Sequence, residues 1–270
     1  MRIGNREFNL SEKTYIMGIL NVTPDSFSDG GKFNSLDSAI SRVEQMIKDG
    51  ADIIDIGGES TRPNYVQISE EEEIERVIPI VSELKKHFDT PISVDTYKSK
   101  VAKAALAAGA DMINDIWGLK YDNNMAQVIS SYGVPVCIMH NRKEARYDDF
   151  LTDVLNDIQE SIDIGIKAGI NREKLIVDPG IGFAKTYEMN LTIMNRLEQL
   201  KQFNLPVLLG TSRKSIIGLT LDEPVENREE GTIATSVMGV MKGCNFVRVH
   251  NVLGNHRAIK MTEAILREHK

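Results

Sequence analysis

Short apolar, β-branched segments recur along the whole chain, and each is followed by a longer stretch with the periodicity of an amphipathic helix. Several of these segments, such as VPVCIMH and LPVLLGT, are almost continuously apolar, which is typical of parallel strands buried on both faces. The eight predicted strands are Tyr15–Asn21, Asp52–Gly57, Pro91–Thr96, Met112–Ile116, Pro135–His140, Leu175–Pro179, Pro206–Thr211 and Phe246–His250. Eight strand–helix units favour a closed (β/α)8 barrel, the TIM-barrel fold, and leave a doubly wound open sheet as the alternative.

The segments between the predicted strands carry helix start and stop signals. Ser35 is predicted to cap a first helix that ends at Gly50. Ser69 lies three residues before a glutamate, which is the spacing of a capping box, and Pro79 falls inside that helix, where we expect a kink. Residues 2–10, RIGNREFNL, alternate in polarity and predict a short N-terminal β-hairpin that covers the lower end of the barrel.

Length and charge limit the classes of function. At 270 residues the chain suits a single barrel domain over residues 1–270. The formal net charge of -7 argues against a nucleic-acid partner, which requires a broad basic face. No apolar run has the length of a signal peptide or a membrane span, and the two cysteines, Cys137 and Cys244, are expected to be reduced and buried. These features predict a cytoplasmic protein without a membrane partner.

Almost every predicted strand ends in a polar or ionisable residue, and the C-terminal ends of barrel strands converge on one active site. Because an unpaired buried charge is costly, such a series predicts a single polar cavity. The residues concerned are Asn21, Asp55, Asp95, Asn114, Asp115, His140, Asp178, Ser212, Arg213, Lys214, Arg248 and His250. Side-chain alternation directs Arg248 and His250 to the same side of their strand, whereas Asn114 and Asp115 point to opposite sides.

The residue types in this predicted cavity suggest two kinds of ligand group. Adjacent carboxylate and amide groups suit a flat heterocycle with neighbouring donors and acceptors, such as an aminopyrimidinone. The candidates for this role are Asp95, Asn114 and Asp178. Cationic and hydrogen-donating side chains suit a phosphate or pyrophosphate. The candidates for that role are Lys214, Arg248 and His250.

Asn21 offers a neutral oxygen at the end of the first strand, which suits a Mg²⁺ ion that keeps most of its waters. A zinc hydrolase is not favoured, because the five histidines have neither the H-x-H nor the H-E-x-x-H spacing. Two loops rich in Gly, Ser and Pro follow the first two strands, NVTPDSFSDGGKF and GGESTRPNYVQ. Loops of this composition are expected to close over a ligand.

Together these segments resemble the dihydropteroate synthase family of pterin-binding barrels. The matching motifs occur in order at all eight strand ends: NVTPDSFSDGG, DIGGESTRP, ISVDT, MINDI, MH at 139–140, DPGIGFAK, GTSRKSIIG and RVHNV. The resemblance implies a transferase of folate biosynthesis that condenses 6-hydroxymethyl-7,8-dihydropterin pyrophosphate with p-aminobenzoate, giving 7,8-dihydropteroate and pyrophosphate. It also implies a homodimer, Mg²⁺ as cofactor, and sulfonamides as competitors of p-aminobenzoate.

The resemblance assigns a role to each matching position. The implied catalytic residues are Asp95, Lys214, Arg248 and His250. The implied pterin site consists of Asp95, Asn114, Ile116, Met139, Asp178 and Lys214. The implied pyrophosphate site consists of Asn21, Arg248 and His250, with Asn21 also as the Mg²⁺ ligand. The implied p-aminobenzoate site consists of Phe27, Thr61, Arg62, Pro63, Phe183, Lys185 and Ser215, covered by the first loop through Asp25, Ser26 and Phe27.

The sequence leaves open the effect of Asn64 and the role of Lys214. The family often has glycine where this chain has Asn64, although asparagine tolerates a left-handed conformation better than most residues. Lys214 either hydrogen-bonds the pterin or pairs with Asp178 to shape the pocket.

Two alternative functions share the barrel and the aspartate–asparagine pocket, namely a pterin-dependent methyltransferase domain and a non-catalytic pterin-binding protein. Neither one requires the TRP, SRK and RVH segments that the resemblance assigns to p-aminobenzoate and pyrophosphate. Pterin binding without turnover would distinguish a non-catalytic protein from a synthase.

Overall fold

The computed structural model describes residues 1–22, 31–59 and 67–268. Eight parallel strands form one sheet: β3 (Tyr15–Asn21), β4 (Ile53–Gly57), β5 (Ile92–Asp95), β6 (Met112–Asp115), β7 (Val136–Met139), β8 (Leu175–Asp178), β9 (Leu208–Leu209) and β10 (Phe246–Val249). Their order in the sheet is β8-β7-β6-β5-β4-β3-β10-β9. A parallel bridge between Val177 and Val207 joins the two ends of the sheet. The predicted (β/α)8 barrel is thereby confirmed.

The strand before the last is much shorter than predicted. The expected strand Pro206–Thr211 forms a ladder only at Leu208–Leu209, so the prediction was wrong at both ends. Pro206 has no N–H to donate, and the N–H of Val207 bonds to the side chain of Asn245 (3.0 Å) instead of to a neighbouring strand.

Helices surround the barrel. They are α1 (Gly31–Asp49), α2 (Glu70–His87), α3 (Ser99–Ala107), α4 (Met125–Tyr132), α5 (Phe150–Lys167), α6 (Tyr187–Asn195), α7 (Ser215–Leu221), α8 (Glu229–Lys242) and α9 (Val252–Arg267). Short 3-10 helices occupy Arg172–Lys174, Leu197–Phe203 and Val225–Asn227. Within the described ranges, none of the helices combines the length and apolar character needed to cross a membrane.

The helix signals in the sequence are partly confirmed. Ser69 caps α2, because its hydroxyl accepts a hydrogen bond from the N–H of Glu72 (3.1 Å), and Pro79 lies inside that helix. The predicted cap at Ser35 is wrong, since α1 begins one turn earlier at Gly31. Serine costs a helix interior only a few tenths of a kcal/mol, roughly, and so does not stop the extra turn.

The N-terminal hairpin is confirmed as β1 (Arg2–Ile3) paired with β2 (Arg6–Glu7). Ile3 and Phe8 are buried against the lower end of the barrel. The ring of Phe8 meets that of Tyr15 edge to face, with 4.7 Å between centroids. This apolar closure leaves the opposite end of the barrel, where the strands terminate, as the accessible mouth.

Candidate active site

Arg248 lies at the centre of the barrel mouth and connects three strands. Its Nε donates a hydrogen bond to Oδ2 of Asp55 (2.6 Å), and its Nη2 donates to Oδ2 of Asp95 (2.7 Å). The side-chain amide of Asn114 also donates to Oδ2 of Asp55 (3.3 Å). The strand ends that the sequence marked as polar therefore form one connected network across β4, β5, β6 and β10.

Three buried oxygens in this region have no hydrogen-bond partner among the described residues: Oδ1 of Asp55, Oδ1 of Asp95 and Oγ of Ser93. Buried polar atoms are normally paired, so these oxygens mark a place where a ligand can supply N–H or O–H donors. Ser93 was missed from the sequence. Its position two residues before Asp95 on one strand was the available signal, because residues at that spacing face the same side.

Burial perturbs the charged groups of the mouth. Burial raises the pKa of Asp95 to about 7, although the guanidinium of Arg248 acts in the opposite direction. Burial also acts to lower the pKa of Arg248, but Asp55 and Asp95 outweigh it and keep the guanidinium cationic. The pKa of Asp178 is raised by burial, against the opposing effect of Lys214. The site thus holds carboxylates whose ionisation depends on nearby cations.

Lys214 lies near Asp178 in the mouth. Its ammonium donates to the carbonyl oxygen of Ile181 (2.6 Å) and lies 4.8 Å from the ring centroid of Phe183. Burial lowers its pKa to about 8, and the charge of Asp178 partly offsets this effect. Lys214 therefore interacts electrostatically with Asp178, which is one of the two predicted roles. Its hydrogen bond to the loop that follows β8 was not predicted from the sequence.

An apolar wall lies beside these polar groups. Tyr97, Ile116 and Met139 form a buried cluster, against which the partly buried Trp117 and Phe183 pack. Ile116 and Met139 were expected in this position, whereas Tyr97 and Trp117 were missed because an aromatic residue beyond a strand end has no distinctive pattern. Apolar side chains next to unpaired carboxylate oxygens suit a planar ring with polar edges.

Two polar residues at strand ends face away from the cavity. Asp115 accepts hydrogen bonds from the backbone N–H groups of Trp117 (2.8 Å) and Leu119 (2.7 Å), as alternation predicts. The expectation that His140 lines the cavity is wrong. Its ring nitrogens contact Asp157 of α5 and the ammonium of Lys185, because the preceding residue takes the inward position on the strand.

His250, one of the residues predicted to bind an anion, lies next to Ser212. The Oγ of Ser212 is 2.9 Å from Nδ1 of the imidazole. Asn21 is exposed at the end of β3, opposite Gly57 of β4. Across the described residues, His, Cys, Asp and Glu side chains form no group of three or more that could hold a metal ion. A single exposed amide oxygen fits a Mg²⁺ that is bound mainly through water and ligand oxygens.

The remaining candidates lie at the rim or outside the described residues. Ser215 is exposed at the first position of α7, directly after Lys214. Lys185 lies in the loop after β8, close to Phe183. The candidates outside the described residues are Asp25, Ser26, Phe27, Thr61, Arg62, Pro63 and Asn64.

The family of pterin binding enzymes matches residues 17–250 of the chain. A dihydropteroate synthase from Clostridium beijerinckii is 60% identical over 268 residues, which cover 99% of this chain and 100% of the relative. The chain belongs to the dihydropteroate synthase family. Every strand end described above lies within the matched region, so the family match covers the whole barrel mouth.

Solved structures of the dihydropteroate synthase family agree with this fold. The crystal structure of a Clostridium difficile dihydropteroate synthase in the presence of pteroic acid superposes with a TM-score of 0.94 at 51% identity, covering 97% of this chain and 100% of that one. A Xanthomonas albilineans dihydropteroate synthase with 4-aminobenzoic acid superposes with a TM-score of 0.90 at 39% identity, covering 94% of each chain.

Proposed function

We propose that the chain joins p-aminobenzoate to 6-hydroxymethyl-7,8-dihydropterin pyrophosphate, giving 7,8-dihydropteroate and pyrophosphate. The observation that carries this proposal is the barrel mouth, where unpaired oxygens of Asp55 and Asp95 lie beside the partly buried guanidinium of Arg248. One side of this mouth offers acceptors to a heterocycle, and the other offers a cation to an anionic group. Membership of the dihydropteroate synthase family supports the same two substrates.

The pterin ring would bind deep in the mouth. Asp95 and Asp178 would accept hydrogen bonds from its ring N–H and amino groups, while the amide of Asn114 can both donate and accept. Ile116 and Met139 would form apolar walls on the ring faces. Lys214 would make the remaining predicted contact to the pterin.

The pyrophosphate would lie nearer to solvent, between Asn21, Arg248 and His250. A guanidinium has five N–H donors, and the aspartates take two of those of Arg248, so three remain for phosphate oxygens. Mg²⁺ held through the amide oxygen of Asn21 would neutralise part of the charge on the pyrophosphate. Asn21 and Arg248 belong to the neighbouring strands β3 and β10, and His250 directly follows β10.

The p-aminobenzoate would bind above the pterin, near the rim. The candidate residues for this pocket are Phe183, Lys185 and Ser215, together with Phe27, Thr61, Arg62 and Pro63 of the two loops. Phe183 packs against the buried cluster of Ile116 and Met139, which places its backbone next to the proposed pterin walls.

The reaction is a substitution at the exocyclic methylene carbon of the pterin. The bond from this carbon to the pyrophosphate oxygen breaks, and the arylamine nitrogen of p-aminobenzoate forms the new bond and releases one proton to solvent. Asp95 and Asp178 would stabilise the positive charge that develops in the ring, and Arg248 and His250 would stabilise the leaving anion. An arylamine is a nucleophile at neutral pH, so the chain needs no covalent intermediate.

Turnover tests this proposal directly. Purified protein with Mg²⁺ and both substrates should release pyrophosphate and form 7,8-dihydropteroate only when both substrates are present. A sulfonamide should inhibit competitively with p-aminobenzoate. Tight binding of the pterin without product would instead indicate a non-catalytic pterin-binding protein.

Arg248→Lys tests the role of the guanidinium while keeping a cation beside Asp55 and Asp95. Lysine lacks the fork that binds phosphate oxygens in pairs, so we expect pterin pyrophosphate to bind at least tenfold more weakly. The corresponding pterin alcohol should lose no more than about threefold. Equal losses for both ligands in calorimetric titrations would contradict the assignment.

We propose a homodimer formed through the C-terminal helices. The large apolar side chains that are exposed on α7, α8 and α9 are Leu219, Leu221, Met241, Leu253, Met261, Ile265 and Leu266. Large apolar side chains exposed on helices that pack side by side commonly mark a protein interface. Sedimentation equilibrium should give twice the chain mass, and Ile265→Glu should shift the measured mass toward that of the monomer.

We also propose a cytoplasmic location, because Cys137 and Cys244 are free thiols and are buried.

A further inference from the structure

The turn formed by residues 180–183 connects the pterin part of the mouth to the p-aminobenzoate part. It follows Asp178 and Pro179 and ends at Phe183. Gly180 adopts a φ of +67°, and its N–H bonds to Oδ1 of Asp178 (2.6 Å). The N–H of Phe183 closes the turn by bonding to the carbonyl of Gly180 (3.1 Å). The position of the Phe183 ring therefore depends on how firmly this turn is held.

Lys185 holds the turn from outside the cavity. Its ammonium donates to the carbonyl oxygens of Gly180 (2.9 Å) and Phe183 (3.0 Å) and lies 2.8 Å from Nδ1 of His140. An ammonium has three N–H donors, and these three acceptors match that number. All three N–H donors of Lys185 are thus used within the protein, so its part in the p-aminobenzoate pocket is to fix the turn.

The hydrogen-bond partners of His140 determine its tautomer. Because Lys185 donates to two carbonyls that can only accept, its third N–H is directed at an unprotonated Nδ1 of the imidazole. The proton then resides on Nε2, which donates to Oδ2 of Asp157 (3.0 Å). Arg142 fixes that carboxylate from the other side with bonds of 2.5 and 3.2 Å. His140 consequently links helix α5 to the turn through a continuous chain of hydrogen bonds.

We propose that His140 is a positioning residue for the p-aminobenzoate site, acting through Lys185 to fix the backbone of the turn that carries Phe183. This inference rests on the proposed function. The pterin site should be largely insensitive to it, because Asp178 belongs to strand β8 and Met139 to strand β7. The backbones of both residues are held by the pairing of β7 with β8, to which the turn does not contribute.

Kinetics of His140→Leu test this proposal, since leucine fills a similar volume but accepts no hydrogen bond. We expect the KM for p-aminobenzoate to rise about tenfold, because small displacements in a binding site have large effects. The dissociation constant of pterin pyrophosphate should change less than about twofold. His140→Gln, whose side-chain oxygen can accept from Lys185, should restore most of the affinity for p-aminobenzoate.

Lys185→Met provides a second route to the same result, independent of how well His140→Leu folds. It should raise the KM for p-aminobenzoate to a similar extent. Adding His140→Leu should then cause little further change, because the two residues act in series. A matched control is Lys242→Met at the C-terminal end of α8, which also removes an ammonium bonded to a carbonyl (Asn195, 2.9 Å), together with its bond to Glu198 (2.9 Å).

The outcomes separate the two proposals. Absence of 7,8-dihydropteroate with the unaltered protein would refute the proposed function. Normal turnover combined with an unchanged KM in His140→Leu would refute the positioning role. A fall in kcat without a change in KM would equally refute it, since it would indicate only a smaller fraction of folded enzyme.

Discussion

Lys98 is the centre of a buried ion cluster next to the second predicted loop. Its ammonium donates to Oε2 of Glu59 (2.6 Å), to Oε2 of Glu73 (2.7 Å) and to the carbonyl of Ile68 (2.8 Å). The three charged side chains are at most 5% exposed. Replacement of Lys98 by methionine keeps most of the volume and removes the only cation of this cluster among the described residues.

The expected cost is large because two carboxylates would be left buried without a counter-charge. Breaking a buried pair in this way destabilises a protein by about 3–5 kcal/mol. Burial already raises the pKa of Glu73, against the effect of Lys98. Lys98 is the N-cap residue of α3 but its side chain makes no capping bond, so loss of a cap adds nothing to this figure.

Urea denaturation followed by circular dichroism would measure the free energy of unfolding of Lys98→Met. The matched control is Lys100→Met, two residues away, which removes an exposed pair with Glu70 (2.6 Å). Solvent screens an exposed pair, so the control should leave the free energy of unfolding almost unchanged.

The deficit of Lys98→Met should depend on pH. Without the cation, the folded-state pKa of Glu73 would lie still further above its unfolded value, so stability is lost as pH rises through the folded value. The deficit should therefore be smaller at pH 5 than at pH 8. A loss below about 1 kcal/mol, or one that grows as the pH is lowered, would refute the reasoning.

Three further predictions concern the mouth and the thiols. If pterin binding needs the ionised form of Asp95, whose pKa is about 7, the affinity for a pterin should rise about tenfold from pH 6 to pH 8 in calorimetric titrations, and a flat profile would contradict this. Gly180→Ala should abolish activity, because a Cβ there would lie 1.9 Å from the carbonyl oxygen of His140, whereas Gly133→Ala, with its nearest atom at 3.5 Å, should retain it. Both free thiols are buried and their pKa values are raised, so a thiol reagent should label them only on unfolding, and rapid labelling of native protein would be the opposite result.

The element types and their order could be predicted from the sequence. Apolar runs such as Val136–Met139 and the helical periodicity between them depend on local backbone preferences, which act over a few residues. Strand alternation likewise predicted that Asp115 would turn to the backbone while Asn114 faced the barrel. The motifs at the strand ends were sufficient to identify the dihydropteroate synthase family.

The contacts of the site required the tertiary structure. Arg248 meets Asp55 and Asp95 across 193 and 153 residues of sequence, and only the register and closure of the barrel bring these groups within hydrogen-bond distance. The orientation of His140 toward α5 and Lys185 was decided in the same way. Local sequence sets which side of a strand a side chain occupies, but the partner that it meets depends on elements packed from distant parts of the chain.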